Sequence, residues 1–203
     1  MKQLDAIILC LALGVCATAQ AQTPLPTMRI RGDVVALDGL NLQVKSRTGE
    51  TLPIKLADNY TVTAVVKIDI DAIKTGAFVG TASMPESDGT QRALEVLLFP
   101  EAMRGSGEGH YPWDLRPGSM MTNATVADAV VESTGGRRMT LKYKDGEKTV
   151  IVPPEAPIVT FEPGDRAMVV PGAHVLLTAT KQADGSLTAG RVAVGKNGLV
   201  PPM

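Results

Sequence analysis

Side chains with chemical capacity concentrate in one stretch of the chain, Pro100 to Gly118. These 19 residues hold the only tryptophan, Trp113, one of two histidines, His110, and Tyr111, together with Arg104, Arg116, Glu108, Asp114 and four glycines. A plain linker is built from Gly, Ser, Pro and charge, without Trp or Tyr. Long aperiodic segments inside compact domains tend to be either functional or linkers. Two readings stay open. In one, Trp113 and Tyr111 plug a seam between flanking domains, because a buried ring removes much apolar area from water. In the other, Arg104, Glu108, His110, Tyr111, Trp113 and Arg116 contact a ligand or partner. The readings are compatible if Trp113 is largely buried while Glu108 and His110 stay accessible at a shallow groove.

The same stretch bounds the chemistry. Glu108, His110 and Asp114 offer one nitrogen and two carboxylate ligands, and His174 could join them, a set suited to a weakly bound divalent metal. Gly105-Ser106-Gly107-Glu108-Gly109 is glycine-rich but lacks the Lys-Ser/Thr of a phosphate loop, and Pro112 stands where a helix should begin. Ser106 has no strand-turn-helix context for a nucleophile. Met103, Met120, Met121, Met139 and Met168 read as core filler rather than soft ligands. Asp69 and Asp71 lack the rest of a calcium loop and read as a solvated edge. No nucleophile–base pair or cofactor fingerprint is present, so an unrecognised hydrolase is the third-ranked class.

The elements that must position this stretch are strands. Leu42-Gln43-Val44-Lys45 and Met139 to Lys144 alternate apolar and polar, the period of a half-buried strand. Thr48-Gly49 and Asp145-Gly146 supply turns. Leu52, Ile54 and Leu56 begin one following strand and Val150 to Val152 another. Ala77 to Ser83 and Ala173 to Thr180 come later. Each is followed by an Asp-Gly turn and a final strand ending near Phe99 or Val194. Asp69 to Lys74 could form a single helical turn.

These segments match each other at a separation of 96 to 97 residues. Lys45, Gly49, Glu50 and Ile54 recur as Lys142, Gly146, Glu147 and Ile151. Gly76, Ala77 and Val79 recur as Gly172, Ala173 and Val175, and Thr81-Ala82 as Thr178-Ala179. Asp88-Gly89 recurs as Asp184-Gly185, with Ala93 and Val96 as Ala189 and Val192. The order reads as an internal duplication. Closing each set of short strands into a barrel removes exposed strand edges. The Gly-Glu turn, the Gly-x-x-Val strand into Thr-Ala, and the Asp-Gly turn before Ala-x-x-Val resemble an uncharacterised family of secreted bacterial OB-like β-barrel domains. The resemblance covers roughly residues 28–99 and 120–194 and implies a fold, with no catalytic residues to carry over.

The first residues read as targeting rather than fold. Lys2 precedes the apolar run Ala6 to Ala17, and Ala19-Gln20-Ala21 offers small residues for cleavage. Cys10 and Cys16 both fall in that segment, leaving a mature chain without thiols. Formal net charge is -1, from 20 basic and 21 acidic residues, without the basic excess that drives nucleic-acid binding. No later stretch is long and apolar enough to span a membrane.

The expected architecture is all-β: two tandem small OB-like β-barrel domains related by internal duplication. Its parts are a signal peptide at 1–21, domains at 28–99 and 119–195, the connector at 100–118 and a tail at 196–203. The expected function is an exported, periplasmic or secreted, non-catalytic module that binds an envelope protein or a small ligand, without a resident cofactor. The alternative is a periplasmic metal-binding protein using His110 and neighbouring carboxylates.

Overall fold

The computed structural model describes residues 24–131 and 136–202. The signal peptide read at residues 1–21 lies outside the described residues. In chain order the strands are β1 (Thr27–Asp38), β2 (Asn41–Ser46), β3 (Thr51–Lys67), β4 (Phe78–Pro85), β5 (Gln91–Ala93), β6 (Val96–Leu98) and β7 (Gly109–Pro112). They continue as β8 (Met120–Val131), β9 (Arg137–Tyr143), β10 (Gly146–Val152), β11 (Ile158–Pro163), β12 (His174–Lys181) and β13 (Leu187–Gly195). The fold is all-β, as its alternating segments require.

Strand pairing closes a five-strand barrel. β1, β2 and β3 pair antiparallel in sequence order, β12 pairs antiparallel with β1, and β13 joins β12 to β3, running parallel to β3. The same plan recurs in a second ring. There β8, β9 and β10 run antiparallel, β4 pairs with β8, and β5 joins β4 to β10, again parallel to the latter.

Neither ring is contiguous in sequence. The first uses residues 27–67 and 174–195, the second 78–93 and 120–152. The rings therefore cut across the boundaries 28–99 and 119–195 read from the sequence. The physical reason is that periodicity specifies a strand and its buried face but not its partner. The two late hairpins share one pattern, and each closes the ring begun by the other half of the chain.

Strand β3 carries the exchange. Its 17 residues extend about 55 Å at the usual rise per residue. Its first half pairs with β2, and its far end, Thr63 to Lys67, pairs antiparallel with β11. β11 in turn runs parallel to β6, so a continuous ribbon joins the rings. At each crossing a three-residue 3-10 turn follows an aspartate cap. Asp69 accepts from the Asp71 amide and Asp165 from the Ala167 amide, each at 2.7 Å. Both aspartates are exposed, as expected of a solvated edge; Asp69 in addition caps the turn, and Asp71 pairs with Arg137. Beyond the turns, the Gly76 amide donates to Val126 O and the Gly172 amide to Val34 O, both at 2.8 Å.

Each ring buries its own apolar face. Ile30, Leu42, Val44, Ile54, Leu56 and Val192 lie in one core. Val79, Val96, Val126, Met139, Leu141 and Val150 lie in the other. Gly32 is required where β2 closes on β1, since a Cβ there would stand 2.1 Å from Lys45 O. A third, smaller cluster of Val65, Leu97 and Val159 sits in the ribbon, with Phe99, Phe161 and Leu176 packed on it. Among the described residues no helix is long and apolar enough to cross a membrane.

Candidate functional site

A cleft of about 750 Å³ opens between the two rings, within the usual range for small-molecule sites. Ring one contributes Arg29, Thr61, Leu176, Thr178 and Arg191; ring two and its extension contribute Gly80, Leu97, Met121 and Asn123. Phe99, Met103 and Trp113 from the segment between β6 and β8 complete the wall with Phe161 of β11. Most of this lining is apolar, with polar atoms at a few fixed points.

The deepest polar group is Glu95, which is fully buried. It sits where strand β5 breaks before β6. Gln91 and Ala93 point inward with it, but Val96 is buried too, so the alternation slips by one residue at this bulge. A bulge leaves a neighbouring ladder group without a partner. Here the Glu95 carboxyl supplies it: the Ala82 amide donates to Oε1 at 2.9 Å, and the Thr81 hydroxyl donates to Glu95 O at 2.7 Å. Oε2 has no partner. Burial pushes the carboxyl up to about 8, against the opposing pull of the Ala82 hydrogen bond and the Arg31 charge. Glu95 is therefore mostly neutral at pH 7, and Oε2 can carry a proton to donate.

Two further buried polar atoms on the cleft wall lack partners. Asn123 gives its Nδ2 to Ser106 O at 3.1 Å and to the Tyr111 hydroxyl at 3.2 Å, which leaves Oδ1 unsatisfied. A Cβ on Gly80 would stand 2.6 Å from that oxygen, so glycine is what makes room for it. Trp113 Nε1 is the third. Buried polar groups in native proteins nearly always find partners in protein, water or ligand. Glu95, Asn123 and Trp113, the three residues that carry these unpartnered atoms, all belong to the lining of one cleft.

The segment 100–118 is more ordered than a linker. After a 3-10 turn at Glu101–Met103 it forms β7, which pairs with β8 from Gly109↔Asn123 to Pro112↔Met120. Trp113 is only half-buried. The Arg29 guanidinium lies 3.7 Å over its ring and Tyr111 meets it edge-on. Asp114 binds Arg29 at 3.3 Å and Arg31 at 2.8 Å, tying the segment to ring one. Burial would raise the Asp114 carboxyl, but the hydrogen bond and charge of Arg31, with the Arg29 charge, bring it below its ordinary value. Trp113 thus walls a cleft rather than filling a seam.

The other residues singled out in this stretch lie apart from the cleft. Arg104 is exposed, bound to Glu101, and donates to Gly76 O at 3.0 Å. Arg116 is exposed; its backbone carbonyl accepts from the Ser119 hydroxyl at 2.7 Å. Glu108 is exposed and accepts from the Lys144 amide at 3.0 Å. His110, expected to be accessible, is half-buried against Tyr143 and bonded to the Thr122 hydroxyl at 2.9 Å. Burial, then the Lys148 charge, lowers its pKa.

The metal set read from the sequence is not assembled. His174 pairs with Asp33 across the β1/β12 ladder, on the barrel wall of ring one, while Asp114 is held by two arginines. Among the described residues no group of three or more His, Cys, Asp or Glu side chains converges on one point. Of the methionines, Met139 is fully buried in the ring-two core and Met168 packs on the ring-one core. Met103 and Met121 line the cleft.

Sequence reasoning missed Glu95, Asn123 and Arg29. For Glu95 a signal exists: strict alternation through Gln91, Ala93 and Glu95 puts a carboxylate on a buried face. No protein-family model, curated protein or solved structure matches the chain.

Proposed function

We propose that this chain is a non-catalytic binding module of the cell envelope that takes a small, largely apolar ligand into the cleft between its rings. The observation that carries the reading is a mostly apolar cavity of about 750 Å³ whose lining residues include Glu95, Asn123 and Trp113, each with a buried polar atom that lacks a partner. The lining offers an apolar wall with two arginines and a few threonines, which supports binding. Export is inferred from the apolar run Ala6 to Ala17 and the Ala19-Gln20-Ala21 motif. The two rings read as OB-like barrels descended from one duplicated unit whose closing hairpins were exchanged. The repeated ring plan and the paired aspartate caps support that ancestry.

The test uses N-phenyl-1-naphthylamine, a neutral apolar fluorophore, with the Trp113 emission as a second signal. Binding should be saturable at one site, with a Kd on the order of 10 µM. A Cβ on Gly190, in the cleft wall, would meet no atom within 4 Å, so the chain accepts a side chain there. Gly190→Phe should fill the cleft and abolish binding without lowering the melting temperature. Equal binding by wild type and Gly190→Phe would sink the reading.

A further inference from the structure

We infer that the ligand is a small amphiphilic organic anion, its acidic group held between Arg29 and Arg191 and its apolar body laid along Leu97, Phe99, Phe161 and Leu176. This deepens the reading above and rests on the cleft being a binding site.

The charges of the lining are one-sided. Arg29, Glu95 and Arg191 are its ionisable members of formal charge. Glu95 is fully buried, with its Oε1 bonded to the Ala82 amide, and burial favours its neutral form, so the two arginines set the field. Arg191 is exposed, and among the described residues it has no ion-pair partner. Arg29 is shared with Asp114 but keeps a solvent-facing side.

The ladders place the two arginines on strands flanking β12. Arg29 stands opposite Thr178 on β12, and Arg191 stands opposite Thr61 on β3, with β13 beside β12. The backbones of β1 and β13 are thus two strand spacings apart, about 10 Å, and two arginine side chains can converge across that gap. The Thr178 and Thr61 hydroxyls flank the same place and add neutral donors. Guanidinium groups suit carboxylate, sulfonate and phosphate oxygens because their donors are fixed in a planar fork.

Moving along these strands, the lining changes from polar to apolar. Leu176 and Ala193, two residues along their strands from Thr178 and Arg191, stand opposite each other, with Phe161 and Phe99 also in the lining. A molecule with one charged end and an aromatic or alicyclic body matches this gradient. A cationic ligand would face two arginines and is excluded by the same field.

The test compares 1-anilinonaphthalene-8-sulfonate with N-phenyl-1-naphthylamine, which share their rings and N–H and differ by the sulfonate. Wild-type protein should bind the sulfonate about tenfold more tightly than the neutral dye, a factor within reach of one charge-assisted contact. Arg191→Gln should bring the two affinities together and leave the neutral dye unchanged. Gly190→Phe should abolish both. Equal affinities in wild type, or a preference that survives Arg191→Gln, would overturn the anion assignment while leaving the cleft reading standing; binding that persists in Gly190→Phe would overturn both. Failure of both dyes to bind would overturn both.

Discussion

Glu95 ties the site to stability in a measurable way. The folded chain holds its proton up to about pH 8, whereas an unfolded carboxyl releases it near its ordinary value of 4.5. Between those values the folded state binds more protons, so stability falls as pH rises through the window. A single group contributes a slope of up to about 1.4 kcal/mol per pH unit. Glu95→Gln preserves the acceptor for Ala82 and cannot ionise. Urea unfolding from pH 5 to 9 should show the variant gaining on wild type as pH rises. Parallel pH profiles would show that the carboxyl is not held neutral. Trp113→Ala tests a second residue. A half-buried ring under Arg29 should cost about 1–2 kcal/mol, below the roughly 3–5 kcal/mol of a fully buried aromatic. Melting curves distinguish the two, and a larger loss would restore the seam-plug reading. The composition of residues 100–118 directed attention to Trp113 and Tyr111, which do reach the cleft region. It could not reveal Arg29 and Asn123, because Arg29 reaches Trp113 from a strand about 80 residues distant and Asn123 reaches Tyr111 through a hairpin register.

Strands and turns were more legible than partners. Alternation in Leu42 to Lys45 and Met139 to Lys144 marked β2 and β9, and the Asp-Gly turns at 88–89 and 184–185 form as local chemistry requires. In each, the aspartate accepts from the amide and hydroxyl two residues on. The helical turn expected over Asp69 to Lys74 forms at Ile70–Ala72. β7 was not legible, since Gly109-His110-Tyr111-Pro112 has no alternation and acquires its strand geometry from β8. The caps at the two crossings give a prediction at this scale. Asp69→Ala and Asp165→Ala should each cost about 0.5–1 kcal/mol, the usual range for a lost cap. Denaturant midpoints should shift alike for the two variants. A negligible effect at both would remove the capped turns from the account of how the chain crosses between rings.

The exchange of hairpins makes the molecule one cooperative body. Each ring draws strands from both halves of the chain, so neither ring can close within one half alone. Thermal unfolding followed by far-UV circular dichroism and by Trp113 fluorescence should give one coincident transition. Separate fragments 24–99 and 119–202 should be unfolded alone and recover β-structure when mixed. A folded isolated fragment would mean that a late hairpin can return to its own half. The same exchange creates the cleft, because β3 and β11 cross where the ring faces meet and bring Leu97, Phe161 and Leu176 to one wall. The central claim, that this wall receives the ligand, is tested most directly by methyl NMR of leucine- and methionine-labelled protein titrated with 1-anilinonaphthalene-8-sulfonate. The account predicts saturable shifts at Leu97, Leu176, Met103 and Met121, with Leu42 and Leu141 in the ring cores unmoved. Shifts confined to other surfaces, or spread without saturation, would contradict it.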